Sequence, residues 1–193
     1  MSNNRINQFD KADSVLEYKA SNPSGQKCYT NENGDPLLKL KDTTLYIRKQ
    51  MNGNQLKFIE ANTIRKVGET NFDQSSFEKD RNVVIDAISL RGGLADGTTI
   101  VNDPYTSTLP PQVRNGELVM IVSGVEILRV PVMDIYIDPN APHSNDDSFR
   151  TIGHTPFIPN EKGYQIYIEL PDGTSATDLN LELAMRVNET SVN

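Results

Sequence analysis

The sequence predicts an all-β chain, an antiparallel β-sandwich preceded by an extended polar N-terminal arm. Three observations carry this. Apolar and polar residues alternate in run after run beyond residue 43, the period of a strand with one buried face. Turn residues punctuate those runs at Asn52-Gly53, Ser123-Gly124 and Pro171-Asp172-Gly173-Thr174. Two long connections, Asp96 to Gly116 and Asp138 to Gly163, are rich in proline, and connections of that length cross between sheets or carry binding surfaces.

Residues 1–42 form the arm. Asn, Ser, Lys and Asp dominate it, with turn signals at Asn22-Pro23, Ser24-Gly25 and Asn33-Gly34-Asp35-Pro36. A short helix is available from Asp13 to Lys19, but its apolar face is thin. Residues 43–193 form the sandwich. Leu45 and Ile47 alternate with Tyr46 and Arg48, and after Asn52-Gly53 the alternation resumes at Leu56 and Phe58. Asn-Gly between two such runs predicts a hairpin with a type I′ turn, whose central residues both need positive φ. Residues 61–80 read as a helical turn around Ile64 and Val67 followed by a loop.

The later strands follow in order. Asn82 to Leu90 is rich in Val and Ile. Glu117 to Ser123 is a near-continuous apolar run, as expected of a strand buried on both faces or sitting in a sandwich core. Val125 to Ile137 is interrupted by Pro131, which cannot donate to a ladder and so belongs on an edge, at a bulge or at a break. Gln165 to Leu170 places Ile166, Ile168 and Leu170 on one face. In the last run Leu179, Leu181, Leu183, Met185 and Val187 face one way, while Asn180, Glu182, Ala184, Arg186 and Asn188 face the other. Short strands, turn signals and Pro-rich crossovers together predict a jelly roll.

Composition narrows the function. A chain of 193 residues holds one domain and an arm, and a domain of that size needs no disulfide or metal to hold its core. The single cysteine, Cys28, forms no intramolecular pair and fits a reducing compartment. The opening Met-Ser-Asn-Asn-Arg has no apolar stretch behind it and predicts no signal peptide. Net charge is −7, and it is unevenly spread: residues 1–70 hold 11 Lys and Arg against 8 Asp and Glu, while residues 71–193 hold 8 against 18. The acidic body opposes binding of duplex nucleic acid by phosphate repulsion. The basic N-terminal third leaves genome or membrane contact open.

Chemistry is thinly represented. His143 and His154 share the second long loop with Asp138, Asp146 and Asp147, but 11 residues apart they lack ligand spacing. Ser144-Asn145-Asp146-Asp147 has half the carboxylates of a calcium loop and no terminal glutamate. Cys28 beside Lys27 sits on the arm, without the rigid scaffold a nucleophile needs. Arg91-Gly92-Gly93-Leu94 lacks the lysine and helix of a phosphate loop. Asn188-Glu189-Thr190 fits a glycosylation sequon, which has no meaning without export. The expectation is therefore no catalytic, cofactor-binding or metal site, hence no enzyme, and a function carried by surfaces.

The layout of a polar arm, strands such as Asn82 to Leu90 and Glu117 to Val122, and a closing strand Leu179 to Val187 resembles the jelly-roll capsid proteins of tailless bacteriophages. That resemblance implies a structural subunit of a virion, made in the host cytoplasm and packing as a homo-oligomer or against other virion proteins, with no cofactor. The alternative from another class is a β-sandwich binding module or spike-like adhesin that recognises a glycan or protein through loops 96–116 and 138–163.

Overall fold

The structure, a computed structural model, describes residues 38–192 except 61, 74, 79–80, 95–97, 141–147 and 154–155, with backbone alone for 38–40 and 190–192. It is an all-β sandwich of two antiparallel sheets. The elements in order are β1 (Leu38–Gly53), β2 (Gln55–Lys57), β3 (Val83–Gly92), α1 (Pro111–Arg114), β4 (Glu117–Val122), β5 (Val125–Pro131), α2 (Val132–Ile135), β6 (Arg150–Thr151), β7 (Phe157–Ile158), β8 (Tyr164–Glu169) and β9 (Ala176–Val192). The first sheet runs β1-β9-β3-β6, with β7 also pairing β3; the second runs β2-β8-β4-β5.

β9 organises the first sheet. It pairs β1 from Leu38↔Val192 to Gly53↔Ala176 and β3 from Val83↔Glu189 to Gly92↔Leu181. Its alternate residues Leu179, Leu181, Leu183, Met185 and Val187 are all buried against the second sheet, as the alternation predicts. Facing them are Leu118 and Met120 of β4, Tyr164, Ile166 and Ile168 of β8, and Leu56 of β2, and one continuous apolar core results. Each side chain of Leu or Ile size removed from water there contributes about 1.5–3 kcal/mol.

Three expectations about the chain path change. Strand β1 begins at Leu38, so residues 38–42, assigned to the arm, belong to the sandwich. The rest of the arm, with Cys28, its turns and the helix at Asp13–Lys19, lies outside the described residues. Asn52-Gly53 is not a hairpin turn: β1 pairs β9 while β2 pairs β8, so the chain changes sheets there. Gly53 has φ 120°, but Asn52 is not among the positive-φ residues, as a type I′ turn would require. Instead, Asn52 Oδ1 accepts the Asp178 N–H at 2.8 Å across a bulge in the β1–β9 ladder. The two-residue hairpin turn occurs at Ser123-Gly124, with φ of 50° and 80°, joining the paired ends Val122 and Val125.

Residues 62–72 hold turns and no helix, and Ile64 and Val67 stand 77% and 87% exposed. Pro131 ends β5, an edge strand, and caps α2, as its missing N–H requires. In the turn after β8, the Thr174 N–H donates to the Pro171 carbonyl at 3.1 Å and Gly173 takes φ 75°, so proline opens the turn and glycine takes the left-handed position. The long connections are partly core: Leu109 and Val113 are buried from the first, Ile152 and Ile158 from the second.

Leu183 sits at the middle of β9 with no exposed surface. Leu183→Ala is expected to lower unfolding free energy by about 3 kcal/mol with an unchanged urea m-value. A loss below about 1 kcal/mol would mean that β9 does not close this core.

Candidate functional site

The outward face of β9 is largely covered. Asn180 has no exposed surface, Glu182 6%, Ala184 8% and Asn188 8%. Segment 98–105 meets it at Asn180, segment 62–72 runs along β1, and its polar groups form a network with side chains of both neighbouring strands. Register places Arg48 of β1, Glu182 of β9 and Arg91 of β3 in one cross-strand row. Arg48 Nε and Nη2 both reach Glu182 Oε2 at 2.7 Å, and Arg91 Nη1 lies 3.4 Å from Oε1. Two guanidinium groups on one carboxylate leave a net positive charge in this row.

Arg48 also holds these two segments. Its Nη1 donates to the Gly68 carbonyl at 3.0 Å, and its guanidinium lies 4.9 Å from the Tyr105 ring centroid and 5.3 Å from that of Tyr46, within cation–π range. Tyr105 adopts φ 53°, a backbone state that a bulky side chain rarely takes. It is kept there by its N–H donating to Asp103 Oδ1 at 2.9 Å and its hydroxyl donating to the Ile100 carbonyl at 2.7 Å.

Asp103 anchors the second segment. Its Oδ2 accepts the Leu94 N–H and an Asn180 Nδ2 hydrogen, each at 2.7 Å. Gly93 makes this approach possible, since a Cβ there would stand 2.3 Å from Asp103 Oδ2. Gly92 is equally constrained, with a Cβ meeting Leu109 and the Ser107 carbonyl at 2.7 Å. Gly93 thus serves close packing against a carboxylate and Gly92 against Leu109 and a backbone carbonyl, an arrangement opposed to holding phosphate.

Between the two segments and β1 lies an open cleft of about 840 Å³. Arg48, Lys49 and Gln50 line it from β1, and Glu60, Ile64, Thr98 and Val101 are among its walls. Lys49 pairs with Glu60 at 3.3 Å, and Lys66 pairs with Glu69. The described lining offers ion-paired Arg48, Lys49 and Lys66, the hydroxyls of Thr63, Thr70, Thr98 and Thr99, and the apolar side chains of Ile64 and Val101.

The residues singled out in the second long loop have mostly no described position. His143, His154, Asp146, Asp147 and the Ser144–Asp147 stretch lie outside the described residues. Asp138 is described, and its Oδ1 accepts the Asn140 N–H at 2.9 Å. Among the described residues no group of three His, Cys, Asp or Glu is arranged to hold a metal ion, and no helix is long and apolar enough to cross a membrane. Asn188 of the sequon is buried within β9, paired between Asp42 and Val84, with 8% of its surface exposed.

Two tyrosines are tuned by burial. Desolvation pushes the Tyr105 hydroxyl well above its ordinary range; nearby Arg48 opposes the shift, while Asp103, Glu182 and Glu69 add to it. Tyr164, stacked on Phe77 at 4.9 Å, is raised mainly by desolvation, with Arg81 opposing. Compared with protein-family models, curated proteins and solved structures, the chain matches none.

Two outcomes follow from this geometry. Gly93→Ala should cost about 3 kcal/mol and speed hydrogen exchange at the Leu94 and Tyr105 amides, because Asp103 must give up both; unchanged exchange would show that the carboxylate has other room. The raised tyrosines keep their protons in the folded chain beyond the unfolded value near 10. Their contribution is therefore complete below pH of about 10 and is lost as pH rises above it. An ultraviolet alkaline titration should show Tyr105 and Tyr164 ionising last and together with unfolding, and early ionisation of all seven tyrosines would refute their burial.

Proposed function

We propose that this chain is a structural subunit of a bacteriophage virion, a capsid or capsid-associated protein that works by packing against copies of itself and other virion proteins. The observation that carries the reading is the nesting of its strand pairs: β1 with β9, β2 with β8, β3 with β6 and β7, and β4 with β5. Such pairing describes one antiparallel ribbon, with its tip at Ser123-Gly124 and its ends at Leu38 and Val192. Successive pairs alternate between the two sheets, so the ribbon is rolled. We read this as the double Greek key of a jelly roll, an architecture recurrent in viral capsids and lectins.

Fold alone does not assign function, and surface features supply the rest. The ribbon leaves its outermost strand, β1, at an edge of the sandwich. Thirty-seven further residues precede Leu38, enough chain to reach a neighbouring subunit at roughly 3.3 Å per extended residue. The reading assigns the protein no reaction and no cofactor, and places it in the virion after synthesis in the host cytoplasm.

One observation favours the second reading, a lectin- or adhesin-like binding module. The cleft beside β1 offers hydroxyl, amide and charged groups in a concave surface, which suits a polar ligand.

Light scattering of the full chain and of a variant lacking residues 1–36 separates the two. The virion reading expects an assembly of many copies that dissociates when those residues are removed. Monomers in both samples would overturn it and direct attention to ligands of the cleft.

A further inference from the structure

Resting on the reading of this chain as an assembling subunit, we propose that copies associate head to tail, with the β1–β2 side of one against the β5 side of the next. The opposite sides of the sandwich differ in charge. β1 and β2 are the edge strands on one side, joined through Asn54 alone. Lys49, Gln50 and Asn52 of β1 share a surface hollow with Gln55, Leu56 and Lys57 of β2. Residues 38–70, which build this side, hold seven Lys and Arg against three Asp and Glu. By contrast, residues 1–37 hold four against five, so the basic character of the first third belongs to the sandwich edge.

β5 is the far edge of the second sheet. Residues 117–138, which form it and its flanks, carry Glu117, Glu126, Asp134 and Asp138 against Arg129 alone. Arg129 is already engaged, with Glu117 at 2.5 Å and Glu126 at 2.9 Å. With exposed Arg150 of β6, the other edge strand on this side, counted, four carboxylates stand against two guanidinium groups, so the surplus is negative. On the basic side, Lys57 and Arg65 are exposed and have no ion pair among the described residues.

Bare apolar side chains sit within each charged field. Ile64, Val67 and Val101 are 77%, 87% and 46% exposed on the basic side; Val125 and Met133 are 65% and 53% exposed on the acidic side. Apolar groups bounded by polar, complementary surfaces are the anatomy of a protein interface. Because the two patches are unlike, the contact is heterologous: every bound pair leaves one patch of each kind free, and addition continues until a ring closes or a lattice forms.

Strand addition is obstructed along the middle of β1. Outward backbone groups there are already used, Tyr46 O by the Asn71 N–H at 3.3 Å and the Arg48 N–H by Glu69 O at 2.7 Å. Pro131 closes the end of β5. Side chains therefore carry the contact, and its charge component is screened by salt over a Debye length of about 8 Å at physiological ionic strength.

The test uses the full chain in sedimentation or light scattering at low salt. Lys57→Glu with Arg65→Glu makes the basic side acidic, and Glu126→Lys with Asp134→Lys does the reverse while Arg129 keeps Glu117. All four residues are exposed, and an unfolding midpoint equal to wild type certifies each fold. Each double variant alone should self-associate about 100-fold more weakly, and a one-to-one mixture should regain the wild-type mass because the reversed sides again match. Variants that assemble as wild type, a mixture that stays dissociated, or wild-type association indifferent to salt would overturn this pairing while leaving the subunit reading in place. A wild-type chain that stays monomeric would overturn both.

Discussion

The structure depends on one constraint: its last strand must pair with its first. β9 lies between β1 and β3 over nearly its whole length, so neither end of the described chain can leave without opening the first sheet. The inner face of β9 supplies five core residues and its outer face supplies Asn180 and Glu182 to the buried polar network. Pairings so distant in sequence demand loop closure before they repay it, which marks a slow-folding topology. In return, the sandwich is held where its ribbon would otherwise fray.

The outer network shows what burying polar groups requires. Glu182, Asp103 and Asn180 are withdrawn from water, and nearly every polar atom they carry is answered by a named partner at hydrogen-bond distance. Asn180 Oδ1 is the exception, buried without a hydrogen-bond partner among the described residues. Ion pairs of this kind contribute modest net stability because desolvation offsets attraction. Their effect here is positional: Arg48 ties segments 62–72 and 98–105 to β1 and so sets the walls of the cleft. The strained φ of Tyr105 is sustained by the same set of contacts, a pattern typical of positions that the surroundings over-determine.

Charge and topology act together on the proposed assembly. The nested ribbon puts β1 and β2 on one side and β5 on the other, and the cationic and anionic segments of the sequence happen to be those strands and their flanks. A sandwich whose ends differ in sign has a built-in direction, as heterologous association requires. The short ladder contacts of residues 62–72 along β1, like Pro131 on β5, limit unguided edge pairing and leave recognition to side chains.

Much of the fold was legible because alternation reports burial locally. The runs at 82–90, 117–123, 165–170 and 179–187 announce their buried faces residue by residue, and Pro131 marks an edge because it has no N–H to donate. The absence of tryptophan, the single Cys28 and the two histidines likewise needed no coordinates. Partnership was not legible. Asn52-Gly53 has the residues of a hairpin turn, yet β1 and β2 pair with β9 and β8, because register is set by facing strands more than a hundred residues away. The same holds for the candidate site: Arg48, Arg91 and Glu182 look like unrelated surface charges until pairing brings them into one row. Local residue chemistry determined which segments would be strands and which faces would be apolar. Only tertiary structure decided which strands met, since sheet pairing depends on the whole chain's closure and not on any window within it.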